Sequence, residues 1–380
     1  KDDIDTVVDT LCSEWLTQGP KLEEFESALA EKINAKHVIA VSNGTAALHL
    51  ACLAAGLKQG DLAVTSTLTF VATANAPYYC GARTGLLDID FKSLGINLNE
   101  LKDFLHKNNE TKVILPVHYA GLAENMESIY KIATGRMVIE DASHALGGTY
   151  KNGEIVGSCI FSDMTTFSFH PVKSITTAEG GAISTNDDEI ARKLKKLRNH
   201  GIERDPEKFI EKNNDKKGPW YYEHQNLGFN YRLSDLQAAL GISQLKKLEF
   251  FIEQKRNIAM KYDEIFSKID GIQLHQDSKE QRSRTAFHLY TIGIEFSKFS
   301  ITRSDFMHKM KNAGINTQVH YIPVHKQPFH RNKFKHNSSN KFIEAEKYYN
   351  SCISIPLYSS MQDRDADYVI ENILSILKKQ

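Results

Sequence analysis

The sequence predicts an α/β protein, with a mostly parallel sheet in a large domain over residues 1–235 and a smaller α+β domain over residues 236–380. Three observations point there. Short apolar runs alternate with helix-period stretches through the first part. One long helical stretch follows. Beyond it, strand-like and helical runs are mixed over a shorter length.

The elements follow in order. His37–Val41 (HVIAV), Leu62–Ser66 (LAVTS), Arg83–Ile89 (RTGLLDI), Lys112–Val117 (KVILPV) and Arg136–Asp141 (RMVIED) have the length and apolar content of buried strands. Between them, Gly44–Gly56 and Glu124–Gly135 carry a helical period. DMTTFSF and GGAISTN add two strands on either side of Lys173. Leu233–Ile269 reads as one long helical stretch, with Leu236, Leu240, Leu248, Ile252 and Ile265 near helical spacing and Ser234 as its cap. After it, the strand-like HLYTIGIEF and NTQVHYI flank the helical TRSDFMHKMKNAG. The charged segment Glu203–Tyr222 reads as a solvated surface loop, with a loop over an active site as the alternative.

Composition narrows the function. Lysine plus arginine and aspartate plus glutamate both total 47, so the basic excess of a nucleic-acid-binding surface is missing. Cys12, Cys52, Cys80, Cys159 and Cys352 are scattered with no CxxC pair, which reads as reduced, buried thiols in a cytosolic protein. No signal peptide or bilayer-spanning apolar run is visible, so a cytoplasmic protein without a membrane partner is expected. His320, Tyr321 and His325 are the one group that suggests a metal. Pro323 separates His325 from the others and no acidic ligand is near, so no metal site is expected.

The sharpest feature is Lys173, set among apolar, hydroxyl and glycine residues in FSFHPVKSITTAEGGAI (Phe167–Ile183). A lysine amine attacks a carbonyl only when neutral, and a partly apolar pocket lowers its pKa enough to allow that. One stable use is a Schiff base with pyridoxal phosphate. Such a site also needs an acid for the pyridine nitrogen, a cup for the phosphate and a flat group against the ring. Asp141 ends the predicted strand RMVIED, at the carboxyl edge where ligands gather in open α/β sheets, and is the acid candidate. His144 stands beside it for the ring hydroxyl. Gly44 and Thr45 open a helix straight after a strand, which suits a phosphate dianion, and Ser168 adds a hydroxyl. Phe70, after another strand, is the stacking candidate. Taken singly, these residues have plainer readings: a turn at Asp141, an ordinary polar residue at His144, a helix cap at Gly44, a core side chain at Phe70. Only their combination points to one site.

Together these motifs resemble the DegT/DnrJ/StrS family of sugar aminotransferases, which use pyridoxal phosphate on the aspartate-aminotransferase fold. The resemblance runs through nearly the whole chain, in order: LTQGPKLEEFE, SNGTAALHLA, TFVATANA, EDASHALGG, FSFHPVKSITTAEGG, LRNHG, GFNYRLSDLQAALG and GINTQVHYIPVHKQP. It implies that Lys173 is the Schiff-base lysine and proton shuttle, that Asp141 partners the pyridine nitrogen, and that His144 lies near the ring hydroxyl. It implies a phosphate cup from Gly44, Thr45 and Ser168, and Phe70 as the stacking aromatic. Asn230, in GFNYR, resembles an asparagine that reaches the phosphate from a neighbouring subunit, which implies a homodimer with shared active sites. For the nucleotide-sugar, Thr17 and Gln18 in LTQG and His320 and Tyr321 in VHYIPVH are the candidates. The chain opens inside or just before the first helix, so nothing is carried over for contacts the family makes upstream.

Within the family, SHALGG, HPVKSITTAEGGA and QVHYIPVH are most similar to the branch acting in pseudaminic acid biosynthesis. That likeness implies L-glutamate as donor, released as 2-oxoglutarate, pyridoxamine phosphate as the intermediate cofactor form, and UDP-4-keto-6-deoxy-N-acetyl-β-L-altrosamine as acceptor. The main alternative is amination, at C4 or C3, of another dTDP-, GDP- or UDP-linked keto sugar. Sugar 3-dehydratases on the same fold carry histidine at the lysine position, so Lys173 argues against them. A non-enzymatic sensor would not need Lys173 and Asp141 together.

Overall fold

The computed structural model describes residues 1–211, 218–333 and 341–378. Its centre is a seven-stranded sheet made of β1 (His37–Val41), β2 (Leu62–Ser66), β3 (Arg83–Leu87), β4 (Thr111–Leu115), β5 (Met137–Asp141), β6 (Met164–Ser168) and β7 (Gly181–Thr185). The strand order is β1-β7-β6-β5-β4-β2-β3. The β6-β5-β4-β2-β3 ladder is parallel throughout, and β7 runs antiparallel to both β6 and β1. All seven predicted strands are present, and the sheet is mostly parallel as expected.

Strand alternation explains the apolar content of these segments. Val38, Ala40, Val64, Ile114, Val138 and Ala182 pack into one core. Ile39, Val41, Ala63, Val113, Leu115, Ile139 and Ile183 pack into another. Consecutive residues point to opposite faces, so both faces of the sheet are covered and neither shows a polar stripe. The helix Gly44–Ala54 lies across β6 and β7 in the second core.

The direction of the strands matters most for function. Because β7 reverses between β6 and β1, the carboxyl ends of β1, β5 and β6 and the start of β7 meet at one edge. The register there pairs Gly181 with both Val41 and Ser168.

A short β8 (Ile202–Glu203) pairs with β9 (Glu223–His224), so the ends of the predicted charged loop are joined. Residues 212–217 of that loop lie outside the described residues. The predicted long helical stretch is two helices, Asp235–Leu245 and Leu248–Phe266. Ser234 caps the first as expected, in a reciprocal pair with Gln237. The break falls at the lysine pair, where Lys247 and Gln244 both reach Asp3. Packing also changes along this stretch. Leu233 to Ile252 join the core of the large sheet, whereas Ile258, Ala259, Tyr262 and Phe266 join a separate core around a second sheet. That antiparallel sheet is β10 (Ile272–Leu274), β11 (Tyr290–Ile294) and β12 (Cys352–Ile355). NTQVHYI forms no strand; its main chain meets β12 at a single bridge, Gln318 to Ser354. Among the described residues no helix is long and apolar enough to cross a membrane.

Candidate active site

At the carboxyl edge of the large sheet lies a cavity of about 350 Å³. Gly44, Thr45, Phe70, Asp141, His144, Ser168, Lys173, His320 and Tyr321, all expected from the sequence, line it. The strand ends bring them there. Gly44 begins the helix after β1, Phe70 follows β2, Asp141 ends β5 and Ser168 ends β6.

Lys173 sits on the connection from β6 to β7. That connection is closed by bonds from the Phe169 amide to Gly180 and from the Thr177 amide to Phe169, and the Lys173 amide bonds to His170. Phe169 and Ile175 anchor it in the core. Burial draws the Lys173 amine down to about 8, while Asp141 opposes the shift.

Asp141 is 5% exposed. Its carboxylate accepts a 2.5 Å bond from the Thr73 hydroxyl and a 3.1 Å bond from the Ser143 amide. Thr73 was not anticipated as a site residue; its place three residues after Phe70, on the first turn of the helix Val71–Tyr79, was the available signal.

The phosphate candidates are packed backbone against backbone. Asn43 caps its helix by accepting from the Ala46 amide, which leaves the amides of Gly44 and Thr45 without intrahelical partners. A Cβ on Gly44 would stand 2.9 Å from Cβ of Ser168, and one on Gly181 would stand 2.6 Å from the Asn43 carbonyl. Glycine at both positions is what allows the helix start to meet the end of β6.

His144 is buried, with its Nε2 bonded at 3.1 Å to the Tyr321 hydroxyl and its ring 4.1 Å from that of His288. Burial, then Lys173 and His320, push His144 well below its ordinary value, so the ring is neutral. Its Nδ1 is buried and finds no partner among the described residues. His288 is a second neighbour the sequence did not single out, because it sits at the start of a predicted strand far along the chain. Phe70 is 54% exposed and approaches Tyr321 at 5.9 Å, so its reading as a core residue is excluded. His320 is held by Ser354, and burial draws it down to about 4.

Three expected site residues are not in this cavity. Thr17 bridges to Ser234, Gln18 lines a different cavity of about 480 Å³ beside Asn199 and Arg232, and the exposed Asn230 bridges to Asn199. They lie near one another rather than scattered. His325 is engaged by Thr67 and Glu346.

The chain resembles known proteins along nearly its whole length. The model of the DegT/DnrJ/EryC1/StrS aminotransferase family matches residues 1–374. A Campylobacter jejuni UDP-4-amino-4,6-dideoxy-N-acetyl-beta-L-altrosamine transaminase is 39% identical, over 99% of this chain and 95% of its own. The Bacillus subtilis spore coat polysaccharide biosynthesis protein SpsC is 38% identical, over 100% of this chain and 95% of its own. Among solved structures, Helicobacter pylori PseC, an aminotransferase involved in the biosynthesis of pseudoaminic acid, superposes with a TM-score of 0.89 at 31% identity, covering 100% of this chain and 97% of that one. With a match this long and relatives aligned nearly end to end, the chain belongs to the DegT/DnrJ/EryC1/StrS aminotransferase family.

Proposed function

We propose that this chain is a pyridoxal-phosphate-dependent aminotransferase moving an amino group from L-glutamate to a nucleotide-linked 4-keto-6-deoxy sugar. The observation that carries this reading is one cavity in which a lysine drawn down to about 8 shares the space with a buried, hydrogen-bonded aspartate.

The residues present fit the cofactor. The helix start at Gly44 and Thr45, with Ser168 pressed against it, offers free amides and a hydroxyl to a phosphate. Asp141 suits a protonated pyridine nitrogen. His144 lines the cavity with its Nδ1 unpartnered among the described residues, and exposed Phe70 provides a flat surface. When bound, the cofactor supplies an aldehyde and an electron sink. Lys173, with its amine drawn down to about 8, would hold the aldehyde group. Its free Nζ would be the base that takes the proton from the α-carbon of the donor and the acid that gives a proton to the carbon being aminated in the acceptor. Asp141, with the Thr73 hydroxyl bonded to its carboxylate, would hold the ring nitrogen in its protonated form.

The names of the Campylobacter and Helicobacter relatives support UDP-4-keto-6-deoxy-N-acetyl-β-L-altrosamine as acceptor. The near-equal identity to SpsC favours, as the second reading, another nucleotide-linked keto sugar of polysaccharide biosynthesis. His320 and Tyr321 contact the acceptor in either case. Thr17, Gln18 and Asn230, grouped outside the cavity, serve the site of a second copy in a homodimer. All five thiols are free, which suits a reducing cytoplasm, although only Cys52, Cys159 and Cys352 are buried as expected, Cys80 is half-buried and Cys12 is exposed. A coupled assay with a panel of nucleotide-linked keto sugars, glutamate as donor and mass spectrometry of the products decides between the acceptors. Borohydride reduction should fix the cofactor on the peptide holding Lys173; attachment elsewhere removes the reading. Mixed dimers of Lys173→Ala and Asn230→Asp chains should regain activity, and failure to do so in proven mixed dimers would overturn the shared site.

A further inference from the structure

Next to Asp141 in β5 stands a second carboxylate with the opposite orientation. Glu140 is fully buried on the face of the sheet where its strand neighbour Val138 packs into the apolar core. An aliphatic side chain would complete that core. Instead the Glu140 carboxylate accepts from His118 Nε2 at 2.6 Å, from the Tyr150 hydroxyl at 2.7 and 2.9 Å, from the Thr165 hydroxyl at 3.0 Å and from the Ser162 hydroxyl. The His118 tautomer follows from its other nitrogen. Nδ1 accepts from the Glu124 amide at 3.2 Å, so the hydrogen lies on Nε2 and points at Glu140. Burial pushes the Glu140 carboxyl up, yet the His118, Ser162 and Tyr150 bonds bring it below the usual range, so it is ionised.

These donors come from both sides of β5. His118 follows β4, Ser162 precedes β6, Thr165 lies within β6, and Tyr150 lies on the chain that leaves Asp141. The same two flanks hold the main chain of Asp141: its amide bonds to Pro116, its carbonyl accepts from the His118 amide, and the next amide, of Ala142, bonds to Thr166. Among the described residues, the hydrogen bonds to the Asp141 carboxylate are one from a side chain, Thr73, and one from the main chain, the Ser143 amide. Where that carboxylate points is therefore set chiefly by the main chain, which the Glu140 network clamps.

We infer that Glu140, with His118 and Tyr150, is a positioning residue that fixes Asp141 against the cofactor's ring nitrogen from the reverse face of the sheet. This rests on the reading of Asp141 given above. Glu140 touches neither substrate nor cofactor; it acts through its neighbour.

A double-mutant cycle tests this with the full-length enzyme stripped of cofactor and titrated with pyridoxal phosphate, read by visible absorbance. Asp141→Asn should weaken binding at least about tenfold; if it does not, the reading of the site fails and the inference with it. Glu140→Gln should weaken binding about tenfold when Asp141 is intact, and less than about twofold in the Asp141→Asn background. Equal weakening in both backgrounds, or none in the first, would overturn the positioning role while leaving the site itself standing. Melting curves of the cofactor-free proteins report folding. If Glu140→Gln does not fold, Tyr150→Phe keeps the volume, removes the Tyr150 bonds to Glu140 and enters the same cycle with the same expected outcomes.

Discussion

Two buried lysines separate what a low pKa means from what a site means. Lys173 and Lys255 are both drawn down to about 8, and in both cases burial is the leading cause. Lys173 lines a cavity that Asp141 also lines, and the Asp141 charge acts on its amine. Lys255 is 6% exposed on the helix Leu248–Phe266, flanked by the buried Ile252 and Ile258, and no ion pair or hydrogen bond of its amine is found among the described residues. A shifted amine is thus not enough to mark a nucleophile. What distinguishes Lys173 is space to admit a carbonyl compound and an acid placed to use it.

The largest expected effect breaks the pair apart. Lys173→Ala should lower transamination by about 10³-fold or more and abolish the visible band of the lysine-bound cofactor. Lys255→Met should keep kcat within about twofold. A comparable loss in both variants, measured with glutamate and the preferred keto sugar, would mean that Lys255 also serves the reaction. Next in size is the acid. Asp141→Ala should leave the melting temperature nearly unchanged and lower the rate about 10²–10³-fold, since an uncharged ring nitrogen is a poor electron sink. Wild-type turnover with cofactor bound normally would refute its assignment.

A pH series sharpens the comparison further. In the cofactor-free enzyme, the Lys173 amine is mostly protonated below about 8 and free above it. The rate of covalent capture of pyridoxal phosphate should therefore rise roughly tenfold per unit from pH 6 to 7 and level off above about 8. Stopped-flow absorbance reads it directly. A rate that is flat across this window would show that the amine is already free at pH 6.

How much of this was legible in the sequence depends on the kind of signal. Buried strands such as His37–Val41 and Leu62–Ser66 stand out because both faces are apolar, and punctuation by glycine, serine and asparagine marks their ends. The cavity was legible for the same reason: its residues follow strand ends, and strand ends were visible. The break at Lys246–Lys247 was not, because the apolar period resumes at Leu248 after a two-residue interruption. NTQVHYI has strand-like composition but pairs main chain to main chain only at Gln318, and single-residue pairing leaves no period to read. Thr73, His288 and Glu140 were missed for another cause. Each is a polar residue whose role is a contact with a residue distant in the chain or, for Glu140, with the hidden face of a strand. No local pattern encodes that. Thr17, Gln18 and Asn230 show the converse: family likeness joined them to the site, and within a single chain they form a group of their own.

The smallest expected effect concerns Lys255 alone, and its sign can be worked out. The folded protein holds this amine near 8, below the ordinary lysine value of 10.5. Folding thus disfavours the protonated form. Above about 10.5 the amine is neutral in both states and costs nothing by titration. As pH falls toward 8 the unfolded chain takes up a proton that the folded one refuses, and stability is lost until both are protonated. Below 8 the loss is complete. Lys255→Met replaces the amine with an apolar group of similar length, so it should raise stability by about 1–3 kcal/mol at pH 7. The gain should shrink as pH rises from 8 toward 10.5. Urea titrations of both proteins at pH 7 and pH 10 measure it. A variant that is less stable at pH 7, or a difference that does not shrink with pH, would show that the Lys255 amine has a partner in the folded protein and that the two lysines differ less than their surroundings suggest.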